Sequence, residues 1–109
     1  MNTKKLLEQR LGIPLEVLAK FCQTKKIVEL SLFGSALRED FNEESDIDLL
    51  VKFSPDYPIS LLGMIRLENE IKQLLNRDVD LVSKNSIESS KNWIRRQNIL
   101  DNAQVIYVQ

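Results

Sequence analysis

Two short runs of residues set the strongest limit on what this chain can build. In Ile27 to Phe33, Val28, Leu30 and Leu32 alternate with Glu29 and Ser31, which is the period of a strand with one apolar face. Asp46 to Phe53 repeats the pattern through Ile47, Leu49 and Val51, and Asp78 to Val82 is a shorter third run. Around them the apolar spacing becomes helical. Leu15, Val17, Leu18 and Phe21 supply one apolar face, and Leu61, Met64, Ile65, Leu67, Ile71, Leu74 and Leu75 predict a longer helix over Ser60 to Leu75. Strands interleaved with helices predict an α/β (α+β) fold, a small mixed β-sheet flanked by helices. At 109 residues the chain has the size of one core, so 1–109 reads as a single domain.

Local signals punctuate these elements. Thr3 is placed to cap a short helix over Lys4 to Arg10, which Gly12 would end, and Pro14 suits the first turn of the next helix. Gly34-Ser35 breaks the first strand, with a turn or short helix through Arg38. Glu39 to Ser45 forms an acidic loop, read as solvated rather than as a lid. Pro55 and Pro58 bracket another loop. Asn85 with Glu88 resembles a capping box that opens one helix through about Leu100, and Gln104 to Val108 reads as a last strand or an extended tail.

Composition removes several classes of chemistry. The chain contains no histidine and one cysteine, Cys22. Histidine-based triads and histidine-ligated zinc are therefore excluded, as is an intrachain disulfide. Cys22 sits among Leu18, Phe21 and Ile27 and reads as a buried hydrophobe rather than a nucleophile. Any metal must be held by oxygen, which points to magnesium, manganese or calcium. The net charge of -1 argues against direct nonspecific nucleic-acid binding, although a local basic patch stays open. Met1 to Lys5 is polar, and no apolar run approaches the roughly 20 residues that span a bilayer. No membrane association and a cytoplasmic setting are expected.

The chemistry concentrates in two segments, Ser31-Leu32-Phe33-Gly34-Ser35-Ala36-Leu37-Arg38 and Ser45-Asp46-Ile47-Asp48-Leu49-Leu50-Val51. Residues two apart on a strand share a face, so Asp46 and Asp48 would project together while Ile47, Leu49 and Val51 enter the core. Carboxylates roughly 6 to 7 Å apart repel unless a cation lies between them, and aspartate is a poor strand former. Two local penalties at one place suggest a functional site rather than a solvated strand edge. Glycine after a strand lets a ligand approach the backbone, and Ser35 could cap a following helix or donate to a phosphate. Arg38 would lie in that first helical turn, where a cation opposes the helix dipole unless an anion is bound.

Gly34-Ser35, ten intervening residues and then Asp46-Ile47-Asp48 resemble the motif of the DNA polymerase beta nucleotidyltransferase superfamily. With Arg38 and Ser45 included, the string is similar to the minimal nucleotidyltransferase (MNT) family, antitoxins paired with HEPN-domain ribonuclease toxins. The resemblance covers roughly residues 27 to 105. It implies a polymerase-beta-like nucleotidyltransferase fold and a third carboxylate on a neighbouring strand. Val79-Asp80-Leu81-Val82 fits that place and makes Asp80 the candidate, with Asp78 its rival.

The resemblance further implies transfer of AMP from ATP to a hydroxyl with release of pyrophosphate. Asp46 and Asp48 would bridge two magnesium ions, Asp80 would complete one metal site and could accept a proton, and Gly34, Ser35 and Arg38 would hold the phosphates. The implied acceptor is a tyrosine of the HEPN toxin. The Ser60 to Leu75 helix and Lys91, Trp93, Ile94, Arg95 and Arg96 are candidate contact surfaces, with a core position for Trp93 as the alternative. An antitoxin acting by occlusion alone, or a transferase acting on RNA ends or a small molecule, are the competing readings.

Overall fold

The computed structural model describes residues 3–109. The elements run α1 (Thr3–Leu11), α2 (Leu15–Thr24), β1 (Ile27–Phe33), a 3-10 turn (Gly34–Leu37), β2 (Ile47–Phe53), α3 (Leu61–Leu75), β3 (Val79–Ser83), α4 (Lys84–Glu88), α5 (Trp93–Asn102) and β4 (Gln104–Val108). The sheet order is β3-β2-β1-β4. β1 pairs antiparallel with β2 and β4, whereas β2 and β3, joined through α3, are parallel. A mixed sheet flanked by helices is the predicted class. The end of the chain is a true strand rather than a tail, and it forms one edge of the sheet.

Helices cover both faces of the sheet, unequally. On one face Leu7 and Leu11 of α1, Leu18 and Cys22 of α2, and Leu67, Ile71 and Leu75 of α3 pack onto Leu30, Leu32, Ile47, Leu49, Val51, Val79 and Leu81. Each fully buried aliphatic side chain there contributes about 1.5–3 kcal/mol. The opposite face carries a smaller cluster of Leu50, Ile87 and Ile99, under α4 and α5. Glu29 on β1 and Lys84 at the start of α4 make a half-buried ion pair at 2.7 Å that fastens this thinner cover to the sheet. The carboxylate-bearing face of β2 is therefore capped at Leu50 and left open at its Asp48 end.

Several local expectations are corrected. Gly12 does end α1, at φ +80, but Pro14 precedes α2 as its N-cap, and Val17 faces solvent while Leu18 and Cys22 take the core. The Thr3 side chain, expected to cap α1, lies outside the described residues. Ser60 caps α3 by accepting from the Gly63 amide, yet Leu61, Leu62 and Ile65 remain exposed on that helix. The single helix expected after Asn85 is two. Asn85 lies inside α4 rather than capping it, and the chain breaks at Ser89 to Asn92. There the Ser89 hydroxyl donates to the Asn85 carbonyl, and the Asn92 side chain accepts from the Arg95 amide to start α5. Polar side chains that compete for backbone groups explain the break.

Candidate active site

β2 and β3 run in parallel with Asp48 in register with Asp80, and Asp48 lies opposite Phe33 on β1. Register partners share a face of a sheet, so the two carboxylates project side by side from its open end. Asp48 is half-buried and Asp80 exposed. Burial raises the Asp48 carboxyl above its ordinary pKa; the Ser35 amide bonded to it opposes that rise. The charges of Asp80 and Asp46 raise it further, and Arg38 lowers it. Asp46 and Asp80 are thus the acidic neighbours that Asp48 feels. Asp78 instead precedes β3, and its backbone carbonyl accepts from the Ile47 amide at 3.0 Å.

Gly34 is fixed by two independent constraints. Its φ is +66, a left-handed conformation that costs other residues about 1–2 kcal/mol. A Cβ there would also fall on Oδ2 of Asp48. The turn and the carboxylate are therefore built around each other, which is a closer relation than a bare strand-to-helix turn requires. Ser35 does not cap a helix. It lies inside the 3-10 turn, and its hydroxyl donates to the Asp46 carbonyl at 2.8 Å. Arg38 follows the turn in extended backbone rather than standing in a first helical turn, and its exposed guanidinium is 3.6 Å from Asp40. An exposed pair of this kind contributes little to stability, so Arg38 is held loosely.

Asp46 sits one residue before β2, exposed, without the ladder contact that its expected strand position would have provided. Its backbone is pinned from both sides instead. Arg77 Nη2 donates to the Ser45 carbonyl at 2.7 Å, the Ser35 hydroxyl holds Asp46 itself, and the next amide, Ile47, bonds to Asp78. Arg77 Nη2 also lies 2.8 Å from the Asn42 carbonyl and 3.2 Å from that of Glu43, while Nη1 reaches Arg10 at 3.2 Å. Arg10 in turn donates to the Ala36 carbonyl at 2.6 Å, within the 3-10 turn. Both guanidiniums lie over the Phe41 ring, at 4.6 Å for Arg77 and 5.2 Å for Arg10. Two arginines and one phenylalanine therefore hold the acidic loop and the turn in one frame, and neither arginine was marked by any local motif. The acidic side chains of Glu39, Asp40, Glu43 and Glu44 are exposed, as expected of a solvated loop, while its backbone is anchored.

The donor set suits a hard divalent cation. It is all oxygen, and the burial of the Asp48 charge, with the lesser repulsion from Asp80 and Asp46, is a penalty that a cation would relieve. Among the described residues no three acidic or thiol side chains already converge into a metal-holding cluster. Asp48 and Asp80 are adjacent, and Asp46 is exposed, so packing does not fix its rotamer.

Comparison with known proteins identifies the family. Residues 15–106 match the nucleotidyltransferase domain family. A Methanocaldococcus jannaschii protein whose name describes a protein adenylyltransferase is 47% identical over 64 residues, 59% of this chain and 63% of its own length. The chain thus spans less than two thirds of that relative. A solved structure described as a minimal nucleotidyltransferase superposes with a TM-score of 0.64 at 30% identity, covering 94% of each chain. A complex of an MNT antitoxin with a tri-AMPylated HEPN toxin from Shewanella oneidensis matches with a TM-score of 0.61 at 19% identity. That match covers 94% of this chain and 73% of the other, and it bears on the fold alone. With residues 15–106 matched by that family model and its fold shared with these structures, the chain belongs to the nucleotidyltransferase domain family.

Proposed function

We propose that this chain is a magnesium-dependent nucleotidyltransferase that moves AMP from ATP to a protein hydroxyl, a tyrosine of a cognate HEPN toxin, and thereby acts as an antitoxin. The observation that carries the transferase reading is the interlocked pair Gly34 and Asp48, with Asp80 beside Asp48 in register. A solvated strand edge has no need of a left-handed glycine built against a carboxylate.

In this reading Asp46, Asp48 and Asp80 hold two magnesium ions. Bound there, the ions supply charge neutralisation at the attacking and leaving oxygens. The acceptor oxygen bonds to the α-phosphorus as the bond to the β-phosphate breaks and pyrophosphate departs. Asp80, the most exposed end of the pair, takes the acceptor's proton directly or through water. Gly34 lets the phosphates approach the backbone, and Arg38 is free enough to swing from Asp40 onto them. Ser35 would touch a phosphate only by releasing Asp46; its contribution here is to keep Asp46 in place.

The partner surface is drawn from exposed apolar residues. Leu61, Leu62 and Ile65 on α3 and Trp93 and Ile94 on α5 are all open to solvent, with Trp93 63% exposed. Large aromatic and aliphatic side chains left outside a core are typical anchors of an interface. Neutralisation by occlusion alone would use the same surface and stands as the second reading. No helix among the described residues is long and apolar enough to cross a membrane, and the buried free thiol of Cys22 suits a reducing cytoplasm.

Transfer of label from ATP to the proposed HEPN toxin separates the two readings. AMP transfer that an Asp46→Asn/Asp48→Asn double variant abolishes, with the partner's ribonuclease activity restored, supports catalysis. A double variant that still silences the partner, with no transfer by the wild type, leaves occlusion.

A further inference from the structure

Three backbone carbonyls of one turn, those of Asn42, Glu43 and Ser45, converge on Nη2 of Arg77 at 2.8, 3.2 and 2.7 Å. Asp46 is the next residue. We propose that Arg77 is a positioning residue of the metal site, which sets where the Asp46 carboxylate stands relative to Asp48 and Asp80. The inference rests on the metal-site reading above and deepens it.

The turn is built inward around a cation. The Ser45 amide donates to the Asn42 carbonyl and the Asn42 amide to the Ser45 hydroxyl, both at 3.1 Å. The Glu44 amide donates to the Asn42 side chain at 2.8 Å. These bonds close residues 42–45 on themselves and leave carbonyl oxygens facing one point. Carbonyl dipoles aimed at one another repel, and the guanidinium supplies the positive charge between them.

The same short segment holds the other side of Asp46. The Ile47 amide donates to the Asp78 carbonyl at 3.0 Å, so residues 77 and 78 fasten the chain immediately before and immediately after Asp46. Two residues further on, Asp80 stands in register with Asp48. Arg77 is itself fixed, because its amide donates to the Lys72 carbonyl at 3.3 Å past the left-handed Asn76 that ends α3. The Asp46 side chain is exposed and has no packing of its own, so its place depends on this clasp. Arg77 Nε, meanwhile, is buried with no partner. An orphaned donor is a penalty that stability alone does not explain, and such penalties concentrate at functional sites.

Charge and position predict opposite signs. Loss of Arg77 takes a positive charge away from a cation site, which by Coulomb's law tightens metal binding. Loss of a group that orients a metal ligand weakens it, by about 10–100-fold.

Titration with Mn2+, followed by electron paramagnetic resonance of the free ion, separates the two. It is run in the cold, where circular dichroism shows each variant folded. Arg77→Ala should weaken Mn2+ binding by about tenfold or more, and Arg77→Lys, which keeps the charge without the planar fork, should weaken it too. In an Asp46→Asn background, Arg77→Ala should change the affinity by less than about twofold, because its effect passes through Asp46. Leu18→Ala, a core truncation on α2, should leave the affinity unchanged. Binding unchanged or tightened by Arg77→Ala overturns the positioning role. So does a full loss in the Asp46→Asn background, or an equal loss in Leu18→Ala. Wild-type protein that binds no Mn2+, or binds it as well after Asp48→Asn, defeats the metal-site reading and the positioning role with it. That result is distinct from a wild type that binds at Asp48 and an Arg77→Ala that binds equally.

Discussion

Replacing Arg77 by alanine removes the side chain that holds the loop before Asp46. Nη2 faces three carbonyls but has two hydrogens, so the contacts to Ser45 and Asn42, at 2.7 and 2.8 Å, are the strong ones. The Arg10 contact makes three. Hydrogen bonds from a charged donor contribute about 1.5–3 kcal/mol each, and the lower end applies at this part-exposed site. Contact with the Phe41 ring adds about 0.5–1 kcal/mol. Opposing this, Arg77 Nε is buried with no partner, at a cost of about 1–3 kcal/mol that the substitution relieves. The net loss is about 2–4 kcal/mol, which for a domain of this size lowers the unfolding temperature by roughly 10–20 °C. Thermal unfolding followed by circular dichroism reads the total. Hydrogen exchange reads the location: protection should fall at the Ser45 and Ile47 amides before it falls at Leu30 in the centre of the sheet. Arg77→Lys keeps the charge but lacks the planar fork, and should recover less than half of the loss. A fall below about 3 °C, or exchange that rises evenly over the sheet, would show that water replaces the guanidinium and that the loop is not held by it.

Gly34→Ala should cost about 2–3 kcal/mol through left-handed strain and overlap with Asp48, and the cost should shrink in an Asp48→Ala background; additivity of the two would separate turn from carboxylate. Asp48→Asn tests the cost of a half-buried charge, which the neighbouring Asp80 and Asp46 increase. Because its folded-state pKa is raised, the ionised form destabilises the fold, so in EDTA the variant should unfold at higher temperature than wild type near pH 7. That advantage should disappear below the unfolded-state value of about 3.9, where both are neutral. Magnesium should stabilise wild type and leave Asp48→Asn unchanged, and an equal response would remove Asp48 from the metal site. Burial pushes the Cys22 thiol up to about 12, so alkylation by iodoacetamide at pH 8 should be negligible in the folded protein and complete in urea, as judged by mass.

The strands and the long α3 could be read from the sequence because each depends on a local period, although Asp46, expected inside β2, falls one residue before it. Asp48 and its relation to Gly34-Ser35 follow from a strand, a break and a second strand within twenty-odd residues. What escaped depends on distance along the chain. Arg10, Phe41 and Arg77 meet only after α1, the acidic loop and the α3-β3 turn have been folded together, and a single arginine before Asp78 carries no signal. Val17 and Leu61 fit a helical period yet face solvent, because the period does not say which side of a broad apolar stripe the sheet will cover. The break between α4 and α5 was hidden by polar residues that can equally cap one helix or end another. For Asp80 the register with Asp48 adds what the sequence lacked: a reason in space to prefer it over Asp78.

If the three aspartates and the Gly34 turn make a magnesium-dependent site for nucleotidyl transfer, position-labelled ATP reveals it most directly. With magnesium and the proposed HEPN toxin partner present, label at the α-phosphate should appear on that protein, with pyrophosphate released in equal amount, and Asp48→Asn should abolish both. Label arriving from the γ-phosphate, or transfer unchanged by Asp48→Asn or by removal of magnesium, would contradict nucleotidyl transfer at these aspartates.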